Sequence, residues 1–273
     1  MKKYIDALLG ETLIHNSSHV VVHSDIIKLY YLEHRNYSSP DSFLKECSSI
    51  FKSIFGEQIW FPTFNYEFPK KKMFDVIKDK SQIGILNNYI LSDSNWRSET
   101  PIFNFCGYNS LPFGNDLSVF YPFRSGFEFD KLYIKNSLYL HFGSKFSNTT
   151  LIHYVEEMSN KLFYRYEKCF PGKLKNISNE IRDVKLIFNV RPLNYYLEYD
   201  WDKMYNELFE NGIISKLTIN SFEILMFQTV PFVEFILSKL NEDPFYMIDS
   251  ETKKWVIPKI DKLGRKFRLT DFE

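Results

Sequence analysis

A chain of 273 residues that is 44% hydrophobic and 25% charged can bury one substantial core, or two unequal lobes. Its 34 basic and 34 acidic residues cancel, so it lacks the electrostatic footprint of a nucleic-acid or membrane-surface protein and the excess of acid that would capture a polycation. The three cysteines, Cys47, Cys106 and Cys169, are far apart and form no C-x-x-C pair, which argues against a disulfide framework or a zinc knuckle and for a reducing compartment.

The N-terminal Met1-Lys2-Lys3-Tyr4-Ile5-Asp6 lacks the apolar run of a signal peptide, and the apolar stretch 222–240 is broken by Glu223, Gln228, Pro231 and Glu234. The expectation is a soluble, cytoplasmic protein. In chain order, Val20-Val21-Val22 reads as a central strand. Ser39-Pro40-Asp41 starts a helix, with Ser39 as N-cap and Pro40 in the first turn; apolar residues follow at helical spacing until Gly56. Ile59-Trp60-Phe61 is a second strand stopped by Pro62, which completes a β-α-β unit with parallel pairing. A helix is expected from Ser81. Residues 96–126 form a loop-rich segment punctuated by Pro101, Gly107, Pro112, Gly114 and Pro122. Tyr139-Leu140-His141-Phe142-Gly143 is a buried strand ending at glycine, and Thr149 or Thr150 is the expected N-cap of the next helix. A strand at 184–190, helices near 201–211 and 230–240, and a mixed basic tail from Lys253 complete the chain. The pattern predicts an α/β fold, a layered α/β/α sandwich with a central mixed, largely parallel sheet. Residues 1–172 would form the core, and residues 173–273 a C-terminal elaboration packed on it as one structural unit.

The segment Thr150-Leu151-Ile152-His153-Tyr154-Val155-Glu156-Glu157 carries the most chemistry. On a helix, Glu156 and Glu157 fall three and four residues beyond His153 and so share its face. A first-turn histidine meets the positive end of the helix dipole, which favours the neutral ring, while a carboxylate neighbour fixes its tautomer. That suits a general base, although ordinary solvated helices carry the same pair. His15, His19 and His23 are spaced by four, but the strand at 20–22 breaks the helical register that a metal site would need, so no metal is expected. No glycine-rich phosphate loop is present. His23-Ser24-Asp25 follows the first strand, where backbone N–H groups would face an anion or an oxyanion.

Taken together, Val21-Val22-His23-Ser24, Phe61-Pro62-Thr63-Phe64, Ser81-x-x-Gly84, Trp96-Arg97-Ser98-x-x-Pro101, Pro112-x-Gly114, Thr150-x-x-His153-x-x-Glu156 and Tyr164-Arg165 form an ordered series over about residues 20–172. The series resembles the aminoglycoside 3-N-acetyltransferase family, which is distinct from the GNAT fold. The resemblance implies an α/β/α sandwich that uses acyl-coenzyme A as a co-substrate and holds no tightly bound cofactor. It assigns the general base to His153 and its carboxylate partner to Glu156. The donor would meet His23, Ser24, Asp25, Thr63 and Thr150, and the acceptor Trp96, Arg97, Ser98 and Tyr108. Two positions depart from the family pattern: Thr100 stands where histidine usually precedes the proline, and Asp25 where a second small hydroxyl is common. Three functions follow as expectations. The first is N-acylation of a nucleotide-linked (dTDP-type) amino sugar for surface polysaccharide, which the neutral charge, Arg97, Arg124 and the loop aromatics favour. The second is aminoglycoside acetylation, and so antibiotic resistance, with Asp75, Asp93, Asp116 and Glu128 as candidate acids. The third is a non-catalytic binding protein on the same scaffold. The partners would be small molecules, with a homo-oligomer open.

Overall fold

The computed structural model describes residues 2–15, 17–111 and 117–273. Eleven strands are assigned among them: β1 (Val20–Ser24), β2 (Ile59–Pro62), β3 (Met73–Asp75), β4 (Trp96–Arg97), β5 (Phe105–Gly107), β6 (Val119–Phe120), β7 (Leu138–Phe142), β8 (Tyr166–Lys175), β9 (Ile181–Val190), β10 (Ser215–Ile219) and β11 (Phe222–Gln228). The central sheet runs β10-β11-β7-β1-β2-β5-β4. Its parallel part is the triplet β7-β1-β2, and both flanks are antiparallel. A smaller sheet, β3-β8-β9-β6, is built around the long β8–β9 hairpin.

Alternation along β1 explains the layers. Val21 points into one hydrophobic cluster, while Val20 and Val22 point into another on the opposite face. The first cluster takes Phe129 and Leu132 from helix Glu128–Ile134, Ile152 and Val155 from helix Ile152–Ser159, and Phe232 and Ile236 from helix Thr229–Glu242. The second takes Tyr4, Phe43, Phe51 and Ile90 from helices Lys2–Leu9, Pro40–Phe55 and Ile85–Asp93. A strand buried on both faces reads as an unbroken β-branched run, as Val20–Val22 does.

The expected β-α-β unit is present: β1 pairs parallel with β2, and between them helix Pro40–Phe55 is capped reciprocally by Ser39 and Ser42. Three expectations are corrected. The helix placed at Ser81 begins at Ile85 behind Gly84 (φ 67°); Ser81 instead makes a local turn, its hydroxyl bonding the amide and carbonyl of Ile83. Neither Thr149 nor Thr150 caps helix Ile152–Ser159, because the Thr149 hydroxyl turns to Phe146 and His141. The tail from Lys253 is helical, in Ser250–Leu263, with Asp249 accepting from the Thr252 amide as N-cap. Residue 172 lies within β8, and residues beyond it supply β10 and β11 to the central sheet. Among the described residues, no helix is long and apolar enough to cross a membrane.

Candidate active site

A cleft of about 500 Å³ opens where the carboxyl ends of the parallel strands β1 and β7 meet helix Ile152–Ser159, the usual ligand position of an open α/β sheet. Its walls include His23, Ser24, Asp25, Thr150 and His153, so five of the expected residues converge. Just before the lining residue Ser144, Gly143 turns the chain at φ 78°, and a Cβ there would come within 2.2 Å of the Asp25 carbonyl, so only glycine fits.

His153 lies in the first turn of helix Ile152–Ser159, which buries Ile152, Tyr154, Val155 and Glu156 and packs on helix Thr229–Glu242. Its Nδ1 is 3.0 Å from Glu156 Oε2. The paired acid is therefore Glu156. Glu157 points elsewhere, to Arg124 at 3.3 Å and to Asn189. The other Glu156 oxygen accepts from Tyr164 at 2.9 Å and Tyr199 at 2.7 Å and meets Arg165 Nε at 3.4 Å. Arg165 also donates to the Tyr199 hydroxyl at 2.6 Å.

These contacts set the charges. Burial alone would raise the Glu156 pKa, but Arg165, the hydrogen bond from His153 and the one from Tyr199 overcome it and hold the carboxyl at about 2. His153 keeps 26% of its side chain exposed toward the cleft, yet the packing behind it lowers its pKa below the ordinary value. Arg165 adds to that lowering, and Glu156 opposes it. A carboxylate accepting at Nδ1 fixes the proton there, so Nε2 carries the lone pair and is the basic nitrogen.

The other expected contacts need correction. Asp25 donates its amide to the Phe142 carbonyl at 3.0 Å, and its carboxylate receives the Ile27 amide, so these amides of the turn after β1 are already committed. Thr63 is fully buried and donates to Asn104 Oδ1 at 2.7 Å, away from the cleft. Arg97 is buried beneath the loop-rich segment, bonded to Asn104 and to the carbonyls of Val76 and Asp79. Ser98 closes a two-way bond with the Phe105 backbone. The Tyr108 hydroxyl bonds Ser48 at 2.7 Å and Asp93 at 3.2 Å, and Trp96 packs against the core. None of Thr63, Trp96, Arg97, Ser98 or Tyr108 lines the cleft. The candidate acids Asp75 and Glu128 are also elsewhere: Asp75 pairs with Lys175 and Glu128 is fully buried. Asp116 and the Pro112-x-Gly114 motif lie outside the described residues. The histidine series is scattered: His15 bonds the Leu9 carbonyl, His19 stacks on Trp60, and His23 is buried on the cleft wall.

The sequence reading missed Tyr199, Asn87 and His141. Tyr199 lines the cleft from the far side of the chain, presented just before helix Trp201–Glu210, whose N-cap is Asp200. Asn87 accepts from the Ser24 hydroxyl at 2.8 Å and donates to the Pro62 carbonyl at 2.6 Å, joining β1 to β2 under the cleft. The nearest signal for Tyr199 was the aromatic pair Tyr199 and Trp201 at a helix start.

The sequence model of one family, aminoglycoside 3-N-acetyltransferase, matches residues 55–241. No curated protein matches the chain. Among solved structures, AAC-IIIb in a binary complex with CoASH is similar with a TM-score of 0.64 at 14% identity, over 82% of this chain and 90% of that one. Aminoglycoside acetyltransferase AAC(3)-Xa is similar at 0.62 and 13% identity, over 89% and 98%. An AAC(3)-IVa variant in complex with a gentamicin gives 0.59 at 13% identity, over 88% and 89%. These likenesses are of fold, and the match to the family's own sequence pattern covers well over half of the chain. The chain belongs to the aminoglycoside 3-N-acetyltransferase family, and with it to the N-acyltransferases.

Proposed function

We propose that the protein moves an acyl group from acyl-coenzyme A to the amine of an amino sugar of the aminoglycoside class, by direct attack in a ternary complex. The observation that carries this is His153 on the cleft wall, with Nδ1 held by a carboxylate that is itself locked by two tyrosines and an arginine. A neutral amine attacks the thioester carbonyl carbon, and its proton passes to His153 Nε2 as the C–N bond forms. The tetrahedral oxyanion then collapses and the C–S bond breaks. The departing thiolate takes the proton back from the imidazolium, which Glu156 has stabilised meanwhile. No acyl-enzyme is needed.

An oxyanion needs a donor, and the cleft hydroxyls differ in how firmly they are held. Ser24 is bonded at 2.8 Å, Ser144 at 3.0 Å and Thr149 at 2.6 Å, whereas Thr150 has a long 3.4 Å contact to the Asn148 carbonyl. Of these four, Thr150 is the hydroxyl most readily turned toward developing charge.

Family membership favours an aminoglycoside acceptor, and the AAC(3)-IVa variant carries a gentamicin in its complex. The two cations that would meet a nucleotide diphosphate are engaged elsewhere: Arg97 is buried beneath the loop, and Arg124 is paired with Glu157 and Glu167. Asp25 on the cleft wall is an acid suited to an ammonium group. The test is thiol release from several acyl-coenzyme A donors against a panel of aminoglycosides and nucleotide-linked amino sugars. A higher kcat/KM for a nucleotide-linked sugar overturns the acceptor assignment, and no release with any donor overturns the transferase reading.

A further inference from the structure

His141 lies near the end of β7, fully buried, with its ring against His23, Tyr139 and Phe227. The proposed proton transfer makes no use of it. Both ring nitrogens are nevertheless engaged: Nδ1 is 2.8 Å from the Ser144 hydroxyl and Nε2 is 3.0 Å from the Thr149 hydroxyl. Those residues are the two ends of segment 144–149, which gives Ser144, Ser147, Asn148 and Thr149 to the cleft wall.

Counting protons narrows the roles of the two ring nitrogens. A neutral imidazole has one N–H and one lone pair. Ser144 donates to the His23 carbonyl at 3.0 Å, so it accepts from Nδ1–H. Nε2 is then the acceptor, and the Thr149 hydroxyl donates to it. The same hydroxyl also donates to the Phe146 carbonyl at 2.6 Å, so its one proton is shared between that carbonyl and Nε2. Burial holds the ring's pKa down at about 3, so this neutral tautomer persists through the working pH range. Lysine or arginine would only donate, and a carboxylate would only accept. The site calls for a group that does both across the width of one ring.

We infer that His141 is a positioning residue for the acyl donor: by tying Ser144 to Thr149 it closes the segment between them into a fixed loop and sets the donor wall of the cleft. Thr149 leads directly into Thr150, whose carbonyl receives the His153 amide at 3.1 Å, so the loop also meets the first turn of the helix that carries the base. The inference rests on reading that wall as the acyl-coenzyme A side.

The test uses the full chain with coenzyme A as the calorimetric probe, and steady-state KM for acetyl-coenzyme A and for the acceptor. His141→Phe keeps the ring volume and removes both bonds, while His141→Asn keeps an amide donor for Ser144. H141F is expected to weaken coenzyme A binding and raise the donor KM by about tenfold, with the acceptor KM moving less than about twofold and H141N recovering part of the loss. A purely structural role would lower thermal stability without splitting donor from acceptor. H141F that binds coenzyme A as tightly as the native protein overturns the inference. If H141F does not fold, Thr149→Val removes the hydroxyl that faces Nε2 and the Phe146 carbonyl at constant shape and carries the same expectation, and native affinity in that variant overturns it equally. A native protein that binds no coenzyme A overturns the donor reading and the inference with it; native binding with an unaffected variant overturns the inference alone.

Discussion

Two buried carboxylates in this molecule meet opposite fates. Glu156 is 2% exposed and Glu128 is 0% exposed, so desolvation works against ionising either one. Glu156 is surrounded by His153, Tyr164, Arg165 and Tyr199 and stays ionised down to about pH 2. Among the described residues, neither oxygen of Glu128 has a hydrogen-bond partner, and burial pushes its carboxyl up to about 7. The Thr100 hydroxyl is itself unpartnered among those residues, and nearby Ile102, a β-branched residue, holds φ at 66°. Burial sets the cost of a charge, and the partners decide whether it is kept. One region uses its polar groups to preserve a charge that acts on His153. The other, beside Thr100, keeps a group whose charge is easily lost.

The sharpest way to break the comparison is at the base. His153→Asn should lower turnover by roughly 10²–10⁴-fold while coenzyme A binding changes little, and the native rate should fall on the acidic side with a midpoint below the ordinary histidine value. Near-normal turnover of His153→Asn at neutral pH would remove the contrast, since Glu156 would then have no base to serve. Next in size is stability at Glu128. Its folded pKa lies above the unfolded 4.5, so its contribution is fully present below about 4.5 and is lost as pH rises through about 7. Between pH 4 and 8 this amounts to something on the order of 3 kcal/mol. Glu128→Gln should flatten that part of the stability–pH curve in urea unfolding; an unchanged slope would mean that Glu128 is ionised in the fold. Glu156 has the opposite sign, its contribution present above 4.5 and lost as pH falls toward about 2.

Smaller effects sharpen the partnered side. Glu156→Gln should cost less than the loss of His153, and the double variant should fall well short of the two losses combined, because the pair acts as a unit. Tyr199→Phe removes one hydrogen bond to Glu156 and should lower kcat by about two- to tenfold, measured at saturating donor. The smallest expected change is none: dialysis against a strong chelator should leave the rate intact, and loss of activity rescued by zinc would overturn the metal-free reading of the transfer.

Much of the scaffold was legible because it is local. The β-branched run of β1, the Ser39-Pro40 start and the histidine–glutamate spacing each report a backbone periodicity or a cap within a few residues. What the sequence hid is long-range. Arg97 reads as an exposed anion binder until Asn104 and the carbonyls of Val76 and Asp79 close around it. Tyr199 lies 43 positions from the carboxylate it serves, a separation that no motif spans. Serine is a good cap by type, but Ser81 meets its own turn before any helix begins, and the helix Ser250–Leu263 is masked in sequence by lysines on its outer side and by Pro258.

The seating of β11 against β7 has a consequence for how the chain is made. A ribosome that has released residues 1–172 has delivered the base and its acid, but the far side of β7 has no neighbour and the Tyr199 hydroxyl does not yet exist. The nascent sheet therefore carries a bare, apolar edge until residues 222–228 emerge and pair along Leu138–Phe142. Protection of that edge therefore comes only with residues 222–228, well after the residues of the base and its acid have been made.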